Sequence, residues 1–177
     1  VAISGSFSKG IKADILVEIA KIAQNKGTHL VIDCSYPAVL DTLQYHPFLL
    51  KPNDSELASF FDFHGEISEE AIVKLAKKLV NTGCQNVLVS LGANGAALIN
   101  EEHVYFANAP KIKVLNSAGA GDTMLGTFIA SLEKGKSMKE ALKFAVAAGS
   151  DTASRKWLPD FKLENLLKQI SVKERVN

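Results

Sequence analysis

Short apolar runs alternate with stretches of helical periodicity over the first half of the chain, and this alternation limits the fold more than any other feature. Leu30-Val31-Ile32-Asp33, Phe48-Leu49-Leu50-Lys51 and Val87-Leu88-Val89-Ser90-Leu91 are apolar almost throughout. Strands covered on both faces look like this, whereas a strand with one wet face alternates. Val1-Ala2-Ile3 reads as a further strand at the start. Between the strands, Ile11, Ile15, Ile19 and Ile22 recur at near-helical spacing up to the stop signal Asn25-Lys26-Gly27. Residues 37–43 and 54–61 read as short helices. Ile72, Leu75, Ala76 and Leu79 place an apolar stripe on a longer helix over 68–81. Pro52 stops the third strand because it has no N–H to donate and holds Lys51 extended.

Residues 96–99 and 104–106, separated by the polar Asn100-Glu101-Glu102, suggest a hairpin. Helices over 121–133 and 137–148 follow, with a last one after Pro159-Asp160. The class is α/β, a mainly parallel sheet with an antiparallel extension near one edge. A chain of 177 residues buries roughly 70% of its unfolded surface, enough for one domain or a large piece of one. Twenty Lys+Arg against 19 Asp+Glu give a net charge of +1, which supplies no broad footprint for nucleic acid or an acidic membrane. Neither partner is expected. Cys34 and Cys84 form no CxxC, and the four histidines show no zinc spacing. No run approaches the ~20 apolar residues of a membrane span, so the protein is expected to be cytoplasmic. Because the chain opens on an apolar strand-like run without Met, residues are expected to precede it.

In a parallel sheet of this kind ligands bind beyond the carboxyl ends of the strands, and three segments there carry chemistry. Asn116-Ser117-Ala118-Gly119-Ala120-Gly121-Asp122 leads straight into an apolar helix. Its small residues leave backbone N–H groups bare, and the helix start aims its dipole the same way, which makes an anion hole. Asp122 at the rim is placed to accept a proton from an attacking hydroxyl. The same dipole favours its charged form and weakens it as a base. The plain alternative is a Gly-rich turn with Asp as an ordinary first-turn residue. A dinucleotide fingerprint is absent, since Met124 stands where its last Gly belongs.

Lys51-Pro52-Asn53-Asp54-Ser55-Glu56 places an amide and a carboxylate one helical turn apart, able to organise a hydrated Mg²⁺ while Lys51 points at a nucleotide phosphate. The same Asn-x-x-Glu is also what a helix capping box looks like, and taken alone the cap is the stronger reading. Ser90-Leu91-Gly92-Ala93-Asn94-Gly95-Ala96 turns from one strand into the next through two glycines, allowing close approach of a ligand or simply making a turn. No GxxxxGK[ST] occurs, which excludes a P-loop nucleotidase.

Taken in order, SGS near the start, KPNDSEL, SLGANGA and NSAGAGD resemble the later part of a PfkB-type sugar kinase of the ribokinase superfamily. The subgroup most resembled is that of the bacterial phosphosugar kinases, 1-phosphofructokinase and tagatose-6-phosphate kinase. The resemblance implies a three-layer αβα sandwich, with 1–177 as the carboxyl-terminal, nucleotide-binding portion of one kinase domain. It implies transfer of the ATP γ-phosphoryl group to a ketohexose phosphate, with fructose 1-phosphate as acceptor ahead of tagatose 6-phosphate and fructose 6-phosphate. Asp122 would be the catalytic base, and the amides of Ala118, Gly119, Ala120 and Gly121 the anion hole. Asn53 and Glu56 would tune Mg²⁺, Glu56 through water. Lys51, Ser90, Gly92 and Gly95 would line the nucleotide phosphates, Ser150 would lie beside the nucleotide, and Ser4 or Ser6 would touch the sugar phosphate.

Monovalent-cation dependence is common in that family, and its dimers form through a lid. The family's earlier segment, with that β-sheet lid and most sugar-binding residues, has no counterpart in this sequence. A nucleotide-binding module without catalysis is therefore the rival reading. A Rossmann-type oxidoreductase shares the α/β pattern but lacks the glycine spacing.

Overall fold

The computed structural model describes residues 1–175. Seven strands make one sheet in the order of the sequence: β1 (Ala2–Ser4), β2 (Val31–Asp33), β3 (Leu49–Leu50), β4 (Asn86–Ser90), β5 (Ala96–Asn100), β6 (Val104–Ala107) and β7 (Val172–Arg175). The first four are parallel, with Ala2 opposite Val31, Val31 opposite Leu49 and Leu49 opposite Asn86. Parallel neighbours need a crossover. It is supplied by α1 (Ile15–Asn25), by a 3-10 helix over Pro37–Tyr45, and by α2 (Asp54–Ser59) with α3 (Glu69–Thr82). β5 and β6 are joined by too few residues for a crossover and form the expected hairpin. α4 (Ala120–Glu133), α5 (Met138–Ala153) and α6 (Glu164–Leu167) complete the chain. β4 and β5 are buried over all but their last residue, as strands between helical layers must be. The expected α/β sandwich is the observed fold.

Two compact units are formed, one of Val1–Val89 with Leu98–Val104 and the other of Ser90–Ala97 with the described residues from Tyr105 on. In the first, the core gathers Leu16, Leu49, Leu57, Leu79 and Leu88, all fully buried. α1 begins at Ile15, not at 11, and buries Leu16, Ala20 and Ala23. The isoleucines expected to face the core do not: Ile11 and Ile22 are 54% and 58% exposed. The buried line at 16, 20 and 23 has the same helical period as Ile15, Ile19 and Ile22 but is shifted by one residue, which turns the isoleucines about 100° away from it. β3 is reduced to two residues, although the Lys51 N–H still donates to the Ile32 carbonyl at 3.0 Å before Pro52 ends the ladder. α3 is capped by Ser68, whose side chain accepts from the Ala71 N–H.

In the second unit α4 and α5 pack along each other, with Phe128, Leu142, Ala145 and Ala148 inaccessible to solvent. α5 runs to Ala153, beyond the expected end at 148, because the polar residues in its last turn find partners within the unit. β7 was not expected: Val172 is followed by Lys173-Glu174-Arg175, an edge strand with no apolar run to mark it. Arg175 lies 5.1 Å from the Phe106 ring centre.

Candidate active site

In the first unit the strand ends place three polar residues in contact. Asp33 closes β2 and Lys51 follows β3, so the neighbouring parallel strands bring them together: Lys51 Nζ lies 3.0 Å from Asp33 Oδ1. The side chains are only 7% and 15% exposed, and a lysine buried to that degree needs a counter-charge. Ser4, at the end of β1, donates from its hydroxyl to Asp33 Oδ2 at 3.3 Å. Lys51 was expected to point at nucleotide phosphate. In this structure its ammonium faces the half-buried Asp33 carboxylate, which compensates its charge. Asp33 is the member of this cluster that sequence reading did not single out, although its place at a strand end was the available signal.

Asn53 and Glu56 form the capping box in full. Asn53 Oδ1 accepts from the Glu56 N–H at 2.7 Å, and Glu56 Oε2 accepts from the Asn53 N–H at 2.9 Å. The cap and a metal role are compatible, since Oε1 of Glu56 takes no part in the cap. Among the described residues no three His, Cys, Asp or Glu side chains gather to hold an ion. That donor set fits Mg²⁺, which keeps most of its water and leans on substrate phosphates with one or two carboxylates. Ser6 lies exposed in the loop before α1, steadied next door by Phe7, whose N–H donates to the Tyr36 hydroxyl at 2.7 Å while the two rings stack 5.1 Å apart. Cys34 is half-buried, and burial, followed by the charge of Asp33, pushes its thiol up to about 11.

The second unit holds the turn that precedes α4. Gly119 takes φ +77°, a left-handed conformation that a side chain would strain, and no side chain caps the helix. The Ala118 N–H, expected in the anion hole, donates to Asn116 Oδ1 at 3.0 Å, and that of Ala120 to the Ser117 carbonyl at 3.2 Å. The N–H groups of Gly119 and Gly121 have no acceptor among the described residues. Asp122 is exposed in the first turn of α4. The result is an exposed turn with two amide donors, the positive end of a 14-residue helix and a carboxylate at the rim.

The end of α5 braces that turn. A Cβ on Gly149 would stand 3.0 Å from the Ala120 carbonyl oxygen, so a side chain there would press the two helices apart by a few tenths of an ångström. The Thr152 hydroxyl donates to that of Thr123 at 3.0 Å, and the Ala153 carbonyl accepts from Leu115 and Asn116. Ser150 sits half-buried on the same stretch. Ser90 ends β4 half-buried, Gly92 opens a 3-10 turn, and Gly95 is buried with its N–H donated to the Gly92 carbonyl at 3.1 Å.

Residues 1–157 match the pfkB family of carbohydrate kinases. A D-tagatose-1-phosphate kinase of Bacillus licheniformis is 43% identical over 171 residues, which is 96% of this chain and 56% of the relative. A 1-phosphofructokinase of Bacillus subtilis is 39% identical over 86% of this chain and 50% of the relative. The structure of Arabidopsis thaliana ribokinase complexed with ribose and ATP superimposes with a TM-score of 0.76 at 30% identity, over 87% of this chain and 52% of that one. The chain thus spans about half the length of the curated relatives it matches.

Proposed function

Because the chain belongs to the pfkB family of carbohydrate kinases, we propose that the protein transfers the γ-phosphoryl group of ATP to the 6-hydroxyl of a ketohexose 1-phosphate, with fructose 1-phosphate as the first acceptor. The observation that carries the reading is the turn before α4, with its two unengaged amides and Asp122 beside them. Such a turn suits an oxyanion or phosphoryl group far better than a neutral ligand. Asp122 takes the proton of the attacking hydroxyl, and the amides of Gly119 and Gly121 hold the charge spread over the transferring group. Ala120 shapes the turn, and Asn116 fixes it by engaging Ala118.

Glu56 orients water around Mg²⁺, whose chemistry when bound is to neutralise phosphate charge, while Asn53 holds Glu56 in place. Lys51, held in place by Asp33, offers its ammonium at the strand ends. Ser90, Gly92, Gly95 and Ser150 serve the nucleotide, and Ser4 and Ser6 the phosphate of the sugar. A bound monovalent cation belongs to the same proposal.

Tagatose 1-phosphate is the competing acceptor, favoured by the 43% identical relative. It differs from fructose 1-phosphate only in configuration at carbon 4, so both offer the same phosphate and the same 6-hydroxyl. The sequence-based alternative of tagatose 6-phosphate gives way to it, since both named relatives act on sugars phosphorylated at carbon 1.

The test is ADP release by the intact protein with Mg-ATP and each of fructose 1-phosphate, tagatose 1-phosphate, tagatose 6-phosphate and fructose 6-phosphate, against a blank without sugar. Release with the 1-phosphates is the expected result. Release with a 6-phosphate alone overturns the acceptor, and nucleotide binding without any release leaves a binding module. Stabilisation by NAD above that by ATP would point to an oxidoreductase.

A further inference from the structure

Among the described residues Asp151 is the only carboxylate buried from solvent, and none of the roles assigned above uses it. Its side chain is 4% exposed, and both oxygens are engaged. Oδ1 accepts from Arg155 Nε at 2.8 Å, and Oδ2 accepts from the backbone N–H groups of Asp160 and Phe161 at 2.9 and 3.0 Å. Arg155 also donates through Nη1 to Asp160 Oδ2 at 2.8 Å. A buried carboxylate is tolerated only with such a set of donors. The segment it grips is strained, for Phe161 holds a left-handed φ of +55° that only a well-determined environment maintains.

The same turn of α5 faces the phosphate turn on its other side. Gly149 abuts Ala120, Thr152 bonds Thr123, and the Ala153 carbonyl takes the Leu115 and Asn116 N–H groups at 2.8 and 3.2 Å. Without Asp151 the last turn of α5 would lose the anchor that ties it to 160–161. Frayed, it would carry Ala153 and Thr152 away from the segment that presents Gly119, Gly121 and Asp122.

We propose that Asp151 is a positioning residue for phosphoryl transfer: through Arg155 and the amides of residues 160 and 161 it locks the end of α5, and the locked helix end fixes the amides of the 116–122 turn. This rests on the kinase reading for its catalytic consequence but not for its structural one. An anion hole accelerates a reaction only when its donors are held in place beforehand, so loosening it lowers kcat while the affinity for the sugar phosphate stays as it was.

The experiment compares Asp151→Asn, Arg155→Met and their combination in the intact protein, by amide hydrogen exchange and by steady-state kinetics. The amides to follow are those with acceptors, Leu115, Asn116, Ala118 and Thr123. Each single variant is expected to speed their exchange by about tenfold or more while those of β4 hold. The double variant should add little, since both residues serve one network. In kinetics, kcat should fall about tenfold or more with the KM for sugar phosphate within about twofold. Ile170→Val, a core change in the same unit away from this network, should leave the four amides unmoved.

Exchange that is unchanged, or that rises equally in β4, would overturn the proposal and leave Asp151 a plain stabilising residue. If Asp151→Asn does not fold, Asp160→Asn removes one partner at the exposed end and is read by the same amides. Should the wild-type protein turn over no sugar phosphate, the kinase reading fails, while the exchange rates still decide whether the network fixes the turn.

Discussion

The polar residues at the strand ends of the first unit answer one another, whereas the turn before α4 in the second unit leaves two backbone amides without an acceptor among the described residues. Lys51 faces Asp33, Ser4 donates to the same carboxylate, and Asn53 and Glu56 satisfy each other's backbone. No buried side-chain nitrogen or oxygen among the described residues lacks a partner. In the turn, by contrast, the Gly119 and Gly121 amides meet no acceptor among the described residues, and residues 116–119 and Asp122 are exposed. Substitution of Lys51 should therefore be felt first in stability, and substitution of Asp122 first in activity. A ligand must displace water from the turn, but it would have to break protein contacts to recruit Lys51.

The sharpest test of that contrast is Asp122→Asn in the intact protein. It keeps the size of the side chain and removes the proton acceptor, so kcat should fall by about 10² to 10⁴. The melting temperature should move little, because the side chain is exposed at a helix start. A variant that kept full kcat would remove Asp122 from the chemistry. A large loss of stability would break the comparison itself.

Lys51→Met should do the reverse. It leaves the Asp33 carboxylate in a largely closed setting without its cation, and breaking such a pair from one side costs about 3 to 5 kcal/mol. Adding Asp33→Asn should recover part of the loss, since the uncompensated charge is then gone. Urea unfolding of the two variants reads the difference. If Lys51→Met were as stable as wild type but bound ATP far more weakly, the ammonium would belong to the nucleotide after all.

Why one region was legible in the sequence and the other only in part follows from the range of the interactions. The turn before α4 is local: seven consecutive residues, a glycine with positive φ and a helix start are all written in one motif. The Asn53–Glu56 cap is equally local, and both of its bonds are present as that spacing requires. The Asp33–Lys51 pair depends on β2 and β3 lying side by side in register, which no periodicity encodes. The Asp151 network escaped for the same reason, since its partners at 160 and 161 lie beyond the end of the helix. The face of α1 is misread from the sequence because four isoleucines outweigh Leu16 and the small Ala20 and Ala23 that are buried. β7 carries three charges and gave no apolar signal.

The smallest effect concerns the two thiols, and it measures how closed the first region is. Burial holds Cys34 at about 11 and Cys84 at about 12, against an ordinary value of 9.0. The thiolate is the reactive form, so at pH 8 a thiol near 11 should alkylate about a hundredfold more slowly than an unperturbed one. Its rate should climb about tenfold per pH unit up to that value. Cys84, 2% exposed, should not react until the protein opens. Asp33 is the second cause of the Cys34 shift after burial, so Asp33→Asn should lower the thiol's pKa and speed its alkylation at pH 8. The neutral thiol is the form that folding favours, so its contribution is intact below pH 9 and is lost as the pH rises through 11. Iodoacetamide labelling followed by mass spectrometry checks each step. Fast labelling of Cys34 in the wild type at pH 8 would mean that the strand ends are open to water, and the reading of Lys51 and Asp33 as a closed pair would go with it.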